Sequence, residues 1–382
     1  MSFETIDIGT VDNDGTGDTL RVAGTKINNN TAYLQALHVA LKNPMGFDRE
    51  GAITSLSTGI LQYCHSASSG IVYQVGSDKD GAFSELTSQT TFADGSTALA
   101  DRTVALYHDP TKASFSYWFE GELIEVTGIK TYQVPVSGAN YLCFNSSGDL
   151  EIENDARTVI MHKALVALVY NNETDNIFFA DERHGLVMDG HTHLNLHQTR
   201  GFKWAKAGGG CEVYGISNSA TTFTKISESK YTDEDIRMSI PEITTAPFMY
   251  KNSSGFWVLT AEDDALGHTD SGDLQYNPVA GGLSNVSGGD YIIMSMWATN
   301  NKRYPIVKII GQDIFTARGD ARDRLSAYVT ELSTDGLPAP EMIPFASYIL
   351  HESDNGIYPG DNGELWIDCR CAFPVSKFDT LT

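Results

Sequence analysis

The sequence predicts a mainly β protein with an N-terminal helix. Its body is two stacked antiparallel β modules, the second carrying an inserted amphipathic helix. Three observations carry this reading. The 382 residues exceed what one compact core usually holds. Thirty-five glycines against 20% charged residues suit tight turns between short strands. From residue 46 onward the apolar residues alternate with period two, or run in short bursts, between clusters of Gly, Ser and Asn.

The helix comes first. After Ile6-Asp7-Ile8 and the turn-rich run Asp12 to Asp18, residues Leu20, Ala23, Ile27, Asn30, Leu34, Leu37 and Leu41 alternate by three and four, which is a heptad seam. Asp18 or Thr19 can cap its start. Asn43-Pro44 stops it, because the residue before proline is pushed out of the α region. A short helix with so narrow a stripe gains stability by packing on copies of itself. The seven seam residues are therefore the expected oligomer interface, with Asn30 fixing register. The Asp12–Asp18 run has the oxygen donors of a calcium loop, but Ala23 stands where the bidentate Glu is required, so it reads as a capping turn.

Residues 1–45 thus form a leader and helix, 46–200 a first β module and 201–382 a second. In the first, Phe115–Phe119 and Leu123–Val126 flank Glu120-Gly121 as a bulged hairpin. Tyr141–Phe144 and Leu150–Ile152 flank Asn145-Ser146-Ser147-Gly148 as another. In the second module, Met249–Lys251 and Phe256–Leu259 flank Asn252-Ser253-Ser254-Gly255, and Tyr348–Leu350 leads through a turn into Ile357-Tyr358. The matching order hints at related modules, although this turn chemistry is common. Asp320–Leu332, with Leu325, Tyr328, Val329 and Leu332 on one side, is the inserted helix, and Asp320 of Arg318-Gly319-Asp320 is its expected cap. Residues 46–110 take no definite placement.

Charge narrows the partners. Lys and Arg number 26, Asp and Glu 49, so the net charge is 26 − 49 = −23. Such a chain repels phosphate backbones and anionic membranes, and neither nucleic acid nor a lipid surface is expected. No apolar run approaches the roughly 20 residues of a membrane span. Met1 to Asp7 has neither the basic nor the apolar region of a secretory signal, so synthesis in a cytoplasm is expected. The five scattered cysteines read as buried free thiols; Cys369 and Cys371 lack zinc-knuckle spacing.

Catalytic signatures are missing. There is no Gly-x-Ser-x-Gly, phosphate loop, His-Glu-x-x-His or dinucleotide fingerprint, so no catalytic residue and no organic cofactor is expected. Glu262-Asp263-Asp264 and Asp233-Glu234-Asp235 read as solvated charge rather than a glycan-cleaving pair. Trp257 and Tyr250 read as core. The histidines offer more. On a strand, His191 and His193 face one side and His197 can join them. Three copies around a three-fold axis would supply six imidazoles, a site for a transition metal such as iron. The bland alternative is a loop whose histidines hydrogen-bond to backbone or to Asp189.

Two stretches carry a resemblance. Asn13-Asp14-Gly15-Thr16-Gly17-Asp18-Thr19-Leu20-Arg21 with Lys26-Ile27-Asn28-Asn29-Asn30 resembles the head of virion structural proteins of tailed bacteriophages. Asp181-Glu182-Arg183-His184-Gly185, Met188-Asp189-Gly190, Thr192-His193-Leu194, Leu196-His197, Trp297-Ala298-Thr299-Asn300, Gly311-Gln312 and Gly336-Leu337-Pro338 resemble phage fibre proteins. The resemblance implies a homotrimeric, fibre-like tail-fibre or baseplate-type subunit, without enzymatic activity. Residues 1–45 would dock on other tail, baseplate or neck proteins, and the far end would meet a host surface polysaccharide. Competing readings are a tailspike depolymerase and a collar adaptor that binds only virion proteins.

Overall fold

The computed structural model describes residues 22–23, 25–31, 60–66, 71–75, 83–86, 103–107, 114–119, 122–135, 138–172, 176–184, 190–204, 210–234, 236–301, 304–337, 341–360 and 363–369. Strands dominate, as the period-two pattern requires, and all but one of the paired strands described run antiparallel. Residues 22–23 and 25–31 are helical, and Ile27 is 52% exposed in the single chain. Leu20, Leu34, Leu37 and Leu41 lie outside the described residues, as does the Asp12–Asp18 turn. No described helix is long and apolar enough to cross a membrane.

The stretch 46–110 contributes four strands of a five-stranded sheet, in the order Phe83–Leu86, Ile71–Val75, Ile60–Ser66, Thr103–Tyr107 and Ile129–Gln133. The hairpin Phe115–Phe119 and Glu122–Val126 pairs Phe119 with Glu122 and keeps one register throughout. No bulge interrupts these described strands, and Glu120-Gly121, where it was expected, lies outside the described residues. Val104, Leu106, Phe115, Tyr117 and Phe144 close a core between these sheets, with Tyr117 and Phe144 stacked at 4.7 Å.

Next lies a four-stranded sheet ordered Asn176–Asp181, Ala164–Asn171, Gly138–Phe144 and Leu150–Glu153. Ala164–Asn171 is buried along its whole length, which explains its unbroken apolar run. The turn at Asn145 works as its residues dictate. The Asn145 side-chain oxygen accepts from the Ser147 and Asp149 amides, at 2.9 and 3.2 Å, and Gly148 supplies φ +81. Asn252 repeats the device, accepting from Ser254 and Phe256 at 3.0 Å each, with Gly255 at φ +84.

An eight-stranded sheet organises the C-terminal half. Its main path is Trp257–Asp263, Ala246–Lys251, Ile306–Ile309, Tyr291–Thr299, Met342–His351 and Ile357–Tyr358, with Ile314–Phe315 and Ile367–Asp368 on its flank. Strand Tyr291–Thr299 shows how one strand serves two cores. Ile293 and Trp297 face one, and Ile292, Met294, Met296 and Ala298 face the other. The partner strand skips Phe345 in the pairing. Its inward parity changes there, so Ile343 and Phe345, then Ala346, Tyr348 and Leu350, all reach the same core.

The first of these cores crosses position 200. It joins Tyr141, Ile160, Leu168 and Leu194 to Met249, Trp257, Trp297 and Ile349. The division expected between 46–200 and 201–382 is therefore not a boundary between cores. The inserted helix is two pieces, Arg318–Leu325 and Tyr328–Glu331, which bury Ala321, Leu325, Tyr328 and Val329 on that core. Asp320 does not cap it. Ala317 occupies the cap position without a side-chain bond, and Asp320 sits in the first turn, where its charge suits the helix dipole.

Candidate functional site

Where these cores meet, polar residues from separate stretches of chain converge. Strand Asn176–Asp181 delivers the first pair. Asp181 holds Arg183 in a two-pronged ion pair, Nε to Oδ1 and Nη2 to Oδ2 at 2.8 Å each, and also accepts from its amide at 3.1 Å. With the chain pinned there and the Glu182 amide bonded to Val166 O at 2.9 Å, the side chains of Glu182 and His184 are both buried.

The next pair comes from a helix, Gly190–Thr199, where the alternation of His191 and His193 suggested a strand. The difference decides which histidines meet. Residues four apart share a helical face, so His193 and His197 point inward together, buried to 0% and 3%, while His191 is exposed and takes no part. Of the expected set His191, His193 and His197, the single chain brings together His193 and His197 with His184 and Glu234, without His191. Gly190 lets the helix start against the helix Ala156–His162, and Gly201, at φ +44, closes its end by donating its amide to Leu196 O at 2.9 Å.

The hairpin Ser229–Asp233 and Ile236–Ile240 supplies two carboxylates. Asp233 pairs directly with Ile236, so only two residues make the turn. Its first, Glu234, adopts φ +51, a conformation such turns demand and usually assign to Asn or Gly. Placing Glu there costs backbone energy and turns a carboxylate into the protein. Asn300 follows strand Tyr291–Thr299, and its amide bonds to the carbonyl of Glu341 at 3.0 Å.

Two groups result. His184, His193, His197 and Glu234 each place a donor atom within 4.8 Å of the other three, as do Glu182, Asp233 and Glu341 among themselves. In the first, His193 Nε2 lies 3.1 Å from His197 Nε2 and 3.6 Å from Glu234 Oε2. His184 Nε2 is also 3.6 Å from Glu234 Oε2, and His197 Nδ1 is 2.8 Å from Glu234 Oε1. In the second, Asn300 Nδ2 donates to Glu182 Oε1 at 3.3 Å, to Glu341 Oε2 at 3.4 Å and to Asp233 Oδ2. The groups touch, since His184 Nε2 is 3.9 Å from Glu182 Oε2 and His197 Nδ1 is 3.9 Å from Glu341 Oε1.

Burial governs their ionisation. It holds the His193 imidazole well below the usual histidine range, and the facing His184 and His197 push the same way. Burial also lifts the carboxyl of Glu341 well above the carboxylate range, with Asp233 beside it adding to the effect, and it raises Asp233 too. Chemically, the first group is a set of nitrogen and oxygen donors able to hold a transition-metal cation. The second is a carboxylate cluster bridged by an amide.

Sequence reasoning found His193 and His197 but missed His184 and Glu234. The spacing His193-x3-His197 between Gly190 and Gly201 was the available signal. The two acidic runs differ in outcome, and Glu262 and Asp264 are exposed as expected. Asp233 and Glu234 are buried rather than solvated, and Asp235 lies outside the described residues. Asp263 accepts from Lys308 Nζ at 2.7 Å. Trp257 is fully buried, and Cys143, Cys211 and Cys369 are buried free thiols. The chain matches no protein-family profile, and neither a curated protein nor a solved structure resembles it at a significant level.

Proposed function

We propose that the chain is a structural subunit of a tailed-bacteriophage particle, a homotrimeric tail-fibre or baseplate- or neck-associated protein that attaches through residues 1–45. One observation carries the reading. The segments on which the phage resemblance rests, around Asp181–His184, His193–His197 and Trp297–Asn300, fold into a single buried constellation at the junction of the body's sheets. The likeness therefore follows the framework of this fold and not a surface loop. The exposed Ile27 agrees with a seam that is completed by other copies.

Virion location, trimer formation and contact with host polysaccharide belong to this proposal. The depolymerase alternative draws no support from its carboxylates. Asp233 and Glu234 are 0% and 2% exposed, and Asp263 is tied to Lys308, so these three do not stand ready to protonate a glycosidic oxygen. Sedimentation of the full chain, together with immunogold labelling of purified particles, tests the reading. Three chains per assembly and label on the tail are expected. A monomer at micromolar concentration, or unlabelled particles, would overturn it.

A further inference from the structure

The first donor group is assembled as if around something. Taking one donor atom from each residue (Nε2 of the three histidines and Oε2 of Glu234), its closest approaches run from 3.1 to 3.6 Å. Ligands bound to zinc at about 2.1 Å lie about 3.0 Å apart at right angles and about 3.4 Å apart in a tetrahedron. The imidazoles and carboxylate thus have the spacing of a coordination shell. The His193–His197 approach can be a hydrogen bond, but the carboxylate is not held by one. Both oxygens of Glu234 are buried and accept no hydrogen bond, although imidazole nitrogens stand close by, and Nδ1 of His193 is likewise unsatisfied.

Charge leads the same way. Asp233, Glu234 and Glu341 are at most 5% exposed, and among the described residues no Lys or Arg pairs with any of them. Concentrating carboxylates away from water without a cation is costly. The backbone strain at Glu234 adds to that cost.

We propose that His184, His193, His197 and Glu234 of a single chain bind one divalent first-row transition-metal ion, with zinc the expected occupant. Three imidazoles and one carboxylate select this class over magnesium or calcium, which prefer all-oxygen shells. Four protein donors in a buried position make a closed site, one that ties strands and helix together and leaves no coordination position for substrate. Glu182, Asp233, Glu341 and Asn300 form the surrounding polar shell. The site lies within one chain, so it stands or falls independently of the phage reading and of any trimer.

Elemental analysis of the purified full chain, after dialysis against zinc and removal of excess, is the direct test. About one ion per chain is expected. One ion per three chains would overturn the proposal in favour of an axial site, and no retained ion would overturn it outright. Stripping the metal from the wild-type chain with a strong chelator should lower Tm by roughly 5 °C or more, and zinc, but not magnesium, should restore it. The double variant His193→Ala, His197→Ala should retain no zinc. Should it fail to fold, cobalt(II) bound to the wild-type chain supplies an independent readout. Visible absorption of a nitrogen-ligated site that zinc displaces is expected, and a spectrum identical to aqueous cobalt would overturn the assignment.

Discussion

Gly190 presses against the backbone of Met161: a β-carbon at this position would fall 2.4 Å from the Met161 carbonyl oxygen and 2.6 Å from its α-carbon. Helices Gly190–Thr199 and Ala156–His162 can approach this closely only because the side chain is absent. Both obstructing atoms are backbone, so rotamer changes cannot relieve the clash. Gly190→Ala should therefore destabilise the chain by about 1–3 kcal/mol, read as a lower urea midpoint. It should also move His193 and His197 and weaken metal retention. An unchanged midpoint would mean that the two helices separate freely.

The side-chain amide of Asn300 donates to three buried carboxylates. Asn300→Asp removes that donor and adds a further acid in the same place. The expected loss is about 3–5 kcal/mol, the range for a buried charge deprived of its partner. Asn300→Leu should cost less, since it removes the donor without adding charge. Chemical denaturation of both variants gives the comparison, and equal stability of Asn300→Asp and wild type would show that the trio does not behave as a charged cluster.

Lys308 lies in the strand Ile306–Ile309 with no exposed surface. Its ammonium donates to Asp263 Oδ1 at 2.7 Å and Ala265 O at 2.7 Å, and stands 3.9 Å from the centre of the Phe248 ring. Burial wins over these contacts and pulls its pKa down to about 8. The folded value thus lies below the unfolded one, and the unfolded chain binds more protons between the two. This lysine's contribution to stability rises as pH increases from about 8 toward 10.5, by at most about 3 kcal/mol. Buried Cys143 and Cys369, with thiols raised to about 12 and about 11, act oppositely above pH 9. The stability difference between wild type and Lys308→Met isolates the lysine. Wild type should gain stability relative to Lys308→Met between pH 7.5 and pH 9.5, and a flat difference would contradict the assignment.

Ile27 tests the seam. Because it is exposed in the single chain, Ile27→Asp should leave the body's unfolding transition unchanged. Combined with Leu34→Asp it should abolish self-association in sedimentation experiments. Intact assembly would place the interface elsewhere.

The hairpins were legible because their turns are written in local chemistry: Asn145 and Asn252 satisfy nearby amides with their own side chains, and a glycine completes each turn. The two-core strands were legible as apolar runs, without any sign of which face meets which core. The helix Gly190–Thr199 was not, because Leu194 and Leu196 give it almost no apolar stripe and its inward face is imidazole. Glu182, Glu234 and Glu341 looked like any surface acid. Their meaning lies in contacts across long stretches of chain, which periodicity does not register.

The order in which these groups leave the ribosome gives the site a clock. Glu182 and Glu341 are separated by 341 − 182 = 159 residues, roughly 10–30 s of synthesis. Within that interval the three imidazoles, Asp233 and Glu234 are made, while the strand Met342–His351 is still to come. A chain truncated before Glu341 lacks the strand Met342–His351 and one carboxylate of the cluster, so closure of this one cluster reports that translation has passed residue 341.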